Sequence, residues 1–175
     1  MSMIHFAAKV QQINDRAVVR IPAPASAKLP SRGQMAVTGR INGQEFATVI
    51  EPDGLKGHWI SIDKRFPEKV RVTDGEKVRV EMSVTKSWPE PQIPEDLQAA
   101  LETAPDLEET WLDITPMARW EWVRWIQATK NPDTRARRVA VSISKLRDGK
   151  RRPCCFDLSS CTDPELSKSG KLITH

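Results

Sequence analysis

Seven basic side chains, Arg135, Arg137, Arg138, Lys145, Lys150, Arg151 and Arg152, crowd into one stretch near the C-terminus. Guanidinium groups are planar forks of donors that fit carboxylates and phosphates in pairs, so such a cluster can bind an anionic surface. It can also be a solvated helix face whose charges pair with acids of the same chain. Both readings stay open at this point. Trp120, Trp122 and Trp125 stand just upstream. Their flat faces could stack on nucleic-acid bases, but burial in a core is the expectation for aromatics of that size.

The other reactive residues form no recognisable catalytic or cofactor set. His5, His58 and His175 lie on a strand, at a strand start and at the terminus, none in a nucleophile motif. His58, beside Trp59, reads as a barrel-rim residue. Cys154 and Cys155 are adjacent, Cys161 follows, and no CxxC pair exists, so neither a metal site nor a disulfide framework is expected. The three are read as reduced thiols. No phosphate-binding glycine loop occurs, and the 8 glycines are scattered among turns. Tyrosine is absent. The expectation is a protein that is not an enzyme, with no catalytic residue, no metal and no cofactor.

Charge is distributed in blocks. Residues 1–89 carry 14 Lys and Arg against 9 Asp and Glu, residues 90–110 carry none against 7, and residues 111–152 carry 11 against 4. An acidic stretch thus directly precedes the basic one and could fold back over it. The hydrophobic fraction, 39% of 175 residues, suffices for one core and a smaller appendage. With no signal-like N-terminus and no long apolar run, a cytoplasmic protein without integral membrane association is expected.

The elements that must position these residues are legible from periodicity. Ile4, Phe6, Ala8 and Val10 alternate with polar or small neighbours, and a second run covers Ala17 to Ile21. Ala25 to Leu29 has room for one helical turn. Gln34–Arg40 and Glu45–Ile50 flank Asn42-Gly43, the pair that supplies the positive φ angles of a type I′ hairpin turn. Glu51-Pro52-Asp53-Gly54 reads as a turn, His58–Ile62 as a strand, and Lys77–Thr85 as another after Asp74-Gly75. Six or seven short strands in residues 1–87 imply a small closed or nearly closed β-barrel.

Residues 88–112 read as a Pro-rich acidic linker holding a short helix, Glu95–Thr103, with Leu97, Ala100 and Leu101 on one side. Residues 113–152 read as a basic helical hairpin. Thr115 is an N-cap with Pro116 at the first helical position, and Asn131-Pro132 ends one helix and caps the next. Ala118, Trp122, Trp125, Ile126 and Thr129 share a face of the first helix. In the second, Ala136, Val139, Ala140, Ile143 and Leu146 are the expected buried stripe, with Arg135, Arg138, Ser142 and Lys145 on a different face. Residues 153–175 read as a polar, mobile tail.

Ala128-Thr129-Lys130-Asn131-Pro132-Asp133-Thr134-Arg135-Ala136-Arg137-Arg138, preceded by Trp125-Ile126 and followed by Leu146 and Gly149-Lys150-Arg151, resembles the C-terminal signature of the YdeI/OmpD-associated (bacteriocin-protection) family. Thr129 splits that family's Ala-Lys pair. Arg20-Ile21-Pro22, Val37 with Gly39 and Ile41-Asn42-Gly43, and Asp74-Gly75-Glu76-Lys77-Val78 resemble the domain of unknown function that often precedes it. The resemblance implies a double-split type of β-barrel, an architecture shared with AbrB/MazE-type DNA-binding proteins, followed by helices. It also implies a role in withstanding antimicrobial peptides or envelope stress. Fold likeness to DNA binders is an analogy, because sites decide function. The functional expectation is a binding or protective module whose basic hairpin meets a protein partner; the alternative is a regulatory protein that binds nucleic acid with little sequence preference, and an unrecognised enzyme is a remote third.

Overall fold

The computed structural model describes residues 3–63, 66–67, 69–153 and 160–173, and the chain divides into two compact units. The first contains six antiparallel strands: β1 (Ile4–Ile13), β2 (Arg16–Arg20), β3 (Met35–Ile41), β4 (Gln44–Pro52), β5 (His58–Ile62) and β6 (Lys77–Val84), with a one-turn helix α1 (Ala23–Ser26) between β2 and β3. They close into a barrel in the order β1-β2-β5-β4-β3-β6. Closure leaves no long unpaired edge to template aggregation.

Strand β1 closes the barrel by serving two neighbours. Its first half, Ile4 to Lys9, pairs with β6, and Val10 to Ile13 pair with β2. The alternation seen in the sequence places Ile4, Phe6, Ala8 and Val10 toward the interior, where they meet Val19, Val37, Ile41, Ile50, Val80 and Met82. The β3–β4 turn is of the expected type: Asn42 has φ 49° and Gly43 φ 83°. Asn42 is also tied to the next strand, its N–H donating to Arg79 O and its Oδ1 accepting from Arg79 N, both at 2.9 Å. A Cβ at position 43 would meet no atom, so Gly43→Val is penalised by backbone strain alone. A loss of about 1–2 kcal/mol in urea unfolding is the expected outcome.

The turn after β4 begins later than the sequence suggests. Glu51 and Pro52 are still in the strand, paired with Trp59 and His58. The turn proper spans residues 53–57, built on Asp53, whose Oδ1 accepts from the N–H groups of Leu55 and Gly57 at 2.7 and 2.8 Å.

In place of the mobile tail, residues 160–173 carry a small hairpin, β7 (Ser167–Lys168) with β8 (Lys171–Leu172), which packs on the outside of the barrel. Leu166, Leu172 and Cys161 are buried against Ile13, Val18 and Trp59. These three barrel residues lie on the face opposite to Val10, Val19 and Ile60 of the interior, so this part of the sheet is covered on both sides. Full burial of a large apolar side chain is worth about 1.5–3 kcal/mol, enough to hold a short polar segment that has no period of its own.

The second unit starts at Glu90 and contains α2 (Glu95–Glu102), a 3-10 turn (Pro105–Leu107), α3 (Glu108–Asp113), α4 (Pro116–Gln127) and α5 (Pro132–Arg147). The stretch read as a linker is therefore part of this unit from residue 90 onward. Leu97, Ala104, Leu107 and Trp111 share one core with Ala118, Trp122, Ile126, Val139 and Leu146. Both caps are as expected: Thr115 Oγ1 accepts from Ala118 N–H at 3.1 Å, and Asn131 Oδ1 from Asp133 and Thr134 N–H at 2.9 and 3.1 Å. Arg119, only 6% exposed, makes a deeply buried ionic contact in this unit. Its guanidinium pairs bidentately with Glu90 and donates to the carbonyls of Trp111 and Ile114.

Candidate functional site

The cap at Asn131 fixes the phase of α5, and that phase differs from the expected one. Val139, Ser142 and Leu146 are its buried positions, Ile143, Arg135 and Arg138 are half-buried, and Ala136 and Ala140 are exposed. The buried stripe thus passes through Arg135, Arg138 and Ser142 instead of the two alanines. Long arginine stems cover apolar surface while their heads reach acids and carbonyls, which alanine cannot do.

Each head has a partner within the unit. Arg135 makes a two-pronged contact with Asp96 of α2, Nε to Oδ2 at 2.6 Å and Nη2 to Oδ1 at 3.2 Å. That hydrogen bonding holds the Asp96 carboxyl below the usual carboxylate range and raises the Arg135 guanidinium. Arg138 Nη1 donates to Trp125 O at 2.7 Å, and its guanidinium carbon lies 5.4 Å from the Trp125 ring centroid. It thereby satisfies a carbonyl at the end of α4 and places a cation over an electron-rich ring. Arg151 reaches Asp113 through Oδ2 and O, both at 3.0 Å. Arg152 lies 3.6 Å from Glu121, whose carboxyl is pushed up by burial against the pull of Arg152 and Arg124.

Arg147, which sequence reasoning did not single out, pairs with Asp106 at 2.9 Å and holds its carboxyl low by hydrogen bonding. The acidic block folds back on the basic one through Asp96 of α2 and Asp106 of the 3-10 turn, and Asp113 of α3, just beyond that block, adds a third carboxylate. Of the seven candidates, Arg137, Lys145 and Lys150 are exposed and make no ion pair among the described residues, while Arg151 and Arg152 are exposed but paired. The surface is thus smaller and better ordered than the sequence suggests.

Stability separates these roles. Arg137→Ala is expected to change unfolding free energy by no more than about 0.5 kcal/mol. The triple Ala variant at 135, 137 and 138 should lose about 2–4 kcal/mol, most of it from the charged hydrogen bond of Arg138. Thermal unfolding of the single and triple variants checks this; equal losses at 137 and 138 would refute the assignment.

The tryptophans are structural. Trp120 and Trp122 are buried, and Trp122 Nε1 donates to Arg151 O at 3.0 Å. Trp125 meets Trp122 edge-on at 6.2 Å and is capped by Arg138. Neither of the buried pair presents a face for stacking on a base.

In the barrel unit, His58 is not a rim residue: it is 1% exposed, and its Nδ1 lies 2.7 Å from Oγ of Ser26, itself 2% exposed. A hydroxyl beside an imidazole is the beginning of a nucleophile–base pair. Here both groups are buried, and Ser26 Oγ is also approached by Arg32 Nη1 at 3.5 Å. Arg32 further donates to the carbonyls of Ser26, Leu29 and Lys56. Burial and, secondly, Arg32 push the His58 imidazole below its ordinary value, with Asp53 opposing. The arrangement can organise a loop and hold a proton balance. No local sequence signal joins residues 26 and 58.

Cys161 is buried, while Cys154, Cys155 and His175 lie outside the described residues. Among the described residues, no three His, Cys, Asp or Glu side chains group as a metal site, and no helix is long and apolar enough to cross a membrane. An open groove of about 830 Å³ on the barrel is lined in part by Arg40 and Glu45, which lie 3.8 Å apart and offset each other's charge.

Residues 90–149 match a family described as bacteriocin-protection, YdeI or OmpD-associated, and residues 6–82 match a domain of unknown function, DUF1905. Each match falls within one structural unit: the second spans the barrel strands, and the first spans α2 to α5. Comparison with curated proteins finds no match to this chain.

Proposed function

With residues 90–149 matching the YdeI/OmpD-associated family and residues 6–82 the DUF1905 domain, we propose that the protein is a non-enzymatic binding module whose helical unit presents a preformed basic surface to a protein partner. The observation that carries this reading is the set of ion pairs Arg135–Asp96, Arg147–Asp106 and Arg151–Asp113. They neutralise the charge that a phosphate backbone would need and fix the helices that display Arg137, Lys145 and Lys150. A rigid face with a few exposed cations suits the polar rim of a protein interface, where pre-organisation lowers the entropic cost of association. The process served, taken from the family's description, is protection against bacteriocins. A cytoplasmic location belongs to the same proposal, in keeping with the chain's cysteine usage.

The test uses two probes. Labelled single- and double-stranded nucleic acid is titrated by fluorescence anisotropy at low and near-physiological salt, where three free cations would make binding fall roughly forty-fold for a fourfold rise in salt. The expected result is no such binding. In parallel, a bacterial protein retained by immobilised wild-type protein should be lost when Arg137, Lys145 and Lys150 are replaced by Glu and kept when Arg40 is replaced by Glu. Salt-sensitive nucleic-acid binding abolished by the same triple replacement would overturn the reading in favour of a nucleic-acid-binding protein.

A further inference from the structure

The turn at residues 53–57 is the meeting point of two features the proposed binding role does not use. From outside, the C-terminal hairpin is fastened to it: Leu172 N–H donates to Asp53 O at 2.9 Å. Gly54 lies so close to Gly170 that a Cβ on Gly54 would stand 2.0 Å from the Gly170 carbonyl oxygen. From inside, the turn is held by Arg32, which donates to Lys56 O at 2.9 Å while its other bonds reach Ser26 and Leu29 around α1. The next residue after the turn is His58.

Ser26 can meet His58 Nδ1 in either protonation state of the ring. Arg32 can only donate, so the Ser26 oxygen accepts from it at 3.5 Å, and it keeps a second lone pair as well as its hydroxyl hydrogen for Nδ1. Nε2 is buried and has no hydrogen-bond partner among the described residues. A second proton fixes a donor on that nitrogen, and the carbonyls of Gly33 and Ser31 offset its burial only in part. It would also set a positive ring beside a guanidinium in a buried place. The charged groups facing the ring are Arg32 from the loop after α1 and Asp53 from the β4–β5 turn. Asp53 is shared with Arg20 of β2 at 3.4 Å, and Lys28 and Lys56 on the same two segments are exposed.

We propose that the C-terminal hairpin is an acid-releasable strap: protonation of His58 sets a second buried cation beside Arg32, the bond from Arg32 to Lys56 O gives way, and the loosened β4–β5 turn lets go of β8. Release uncovers the apolar stripe of Ile13, Val18 and Trp59 on the outer face of the barrel. The sign follows from linkage. A histidine disfavoured as a cation in the closed form takes up its proton more readily when the strap is open, so closure weakens as pH falls below about 6.5 and continues to weaken down to the lower value of the closed form.

The test is made on the full chain by NMR between pH 8 and pH 5, following the His58 ring and amide exchange over residues 166–173, corrected for intrinsic exchange rates. Strap protection is expected to drop tenfold or more in the window in which His58 titrates, and to be flat with pH in His58→Gln. Should that variant fail to fold, coincidence of the two midpoints in the wild type decides the matter. Strap protection that stays constant while His58 titrates, or that falls with a different midpoint, would overturn the proposal.

Discussion

Arg119→Ala is expected to cost the helical unit about 3–5 kcal/mol and to leave it largely unfolded at 37 °C while the barrel strands persist. The side chain is 8% exposed and its guanidinium holds the Glu90 carboxylate together with the carbonyls of Trp111 and Ile114. Those carbonyls belong to the C-terminal end of α3 and its cap, and the substitution leaves buried acceptors without a donor, each worth about 1–3 kcal/mol. Glu90 is 65% exposed and can turn to water, so the larger loss is on the carbonyl side. Urea unfolding followed at the helical signal by circular dichroism measures the effect. Arg119→Lys should recover only part of it, because an ammonium cannot span the fork and the carbonyls together. An alanine variant within 1 kcal/mol of wild type would show that this contact is dispensable.

Gly39→Ala should damage the barrel to a similar degree. Gly39 pairs with Met82 of β6 on one side and Phe46 of β4 on the other. A Cβ there would sit 1.9 Å from the Glu81 carbonyl oxygen and 2.7 Å from Met82 Cα. Both are backbone atoms, so no side-chain rotation relieves the clash and strands β3 and β6 must part. Overpacking costs about 1–3 kcal/mol when side chains can move, and more where the backbone must. We expect a loss of at least about 3 kcal/mol and a weakened β3–β6 ladder in amide exchange. Gly75→Ala makes the comparison: its φ of 84° brings strain, but a Cβ there meets no atom, so a smaller loss is expected.

What the sequence makes legible here is local. Asn42-Gly43 carries its turn geometry in two residues, and Thr115 and Asn131 carry their helix starts in one side chain each. Strand periodicity survives because barrel interiors impose a strict alternation. Four things are hidden for a common reason, namely that a distant segment decides them. Residues 104–112 look like acidic linker because Ala104, Leu107 and Trp111 are spaced without a clear period among carboxylates, and only the core of α4 and α5 gives them a use.

The phase of α5 is not legible from the sequence because alanines count as apolar in a periodicity and arginines do not. Packing reversed both, since Asp96 and the Trp125 carbonyl give arginine heads a destination. The tail looked structureless because its partner surface lies on β1, β2 and β5. A hint was present in Ala17 to Ile21: Val18 and Val19 are adjacent and both fully buried, and a strand buried on both faces announces a second layer. The Ser26–His58 contact joins residues 32 positions apart and left no trace in either neighbourhood.

The covering of the barrel by its last residues also sets an order of events during synthesis. All six barrel strands have been made once Val84 is added, yet the segment that seals Ile13, Val18 and Trp59 follows only after roughly ninety more residues. At about 5–20 residues per second, the nascent barrel stands on the ribosome for roughly 5 to 20 seconds with that greasy stripe bare. For that interval, folding factors or neighbouring nascent chains have a ready foothold on it, which closes once Cys161, Leu166 and Leu172 have docked.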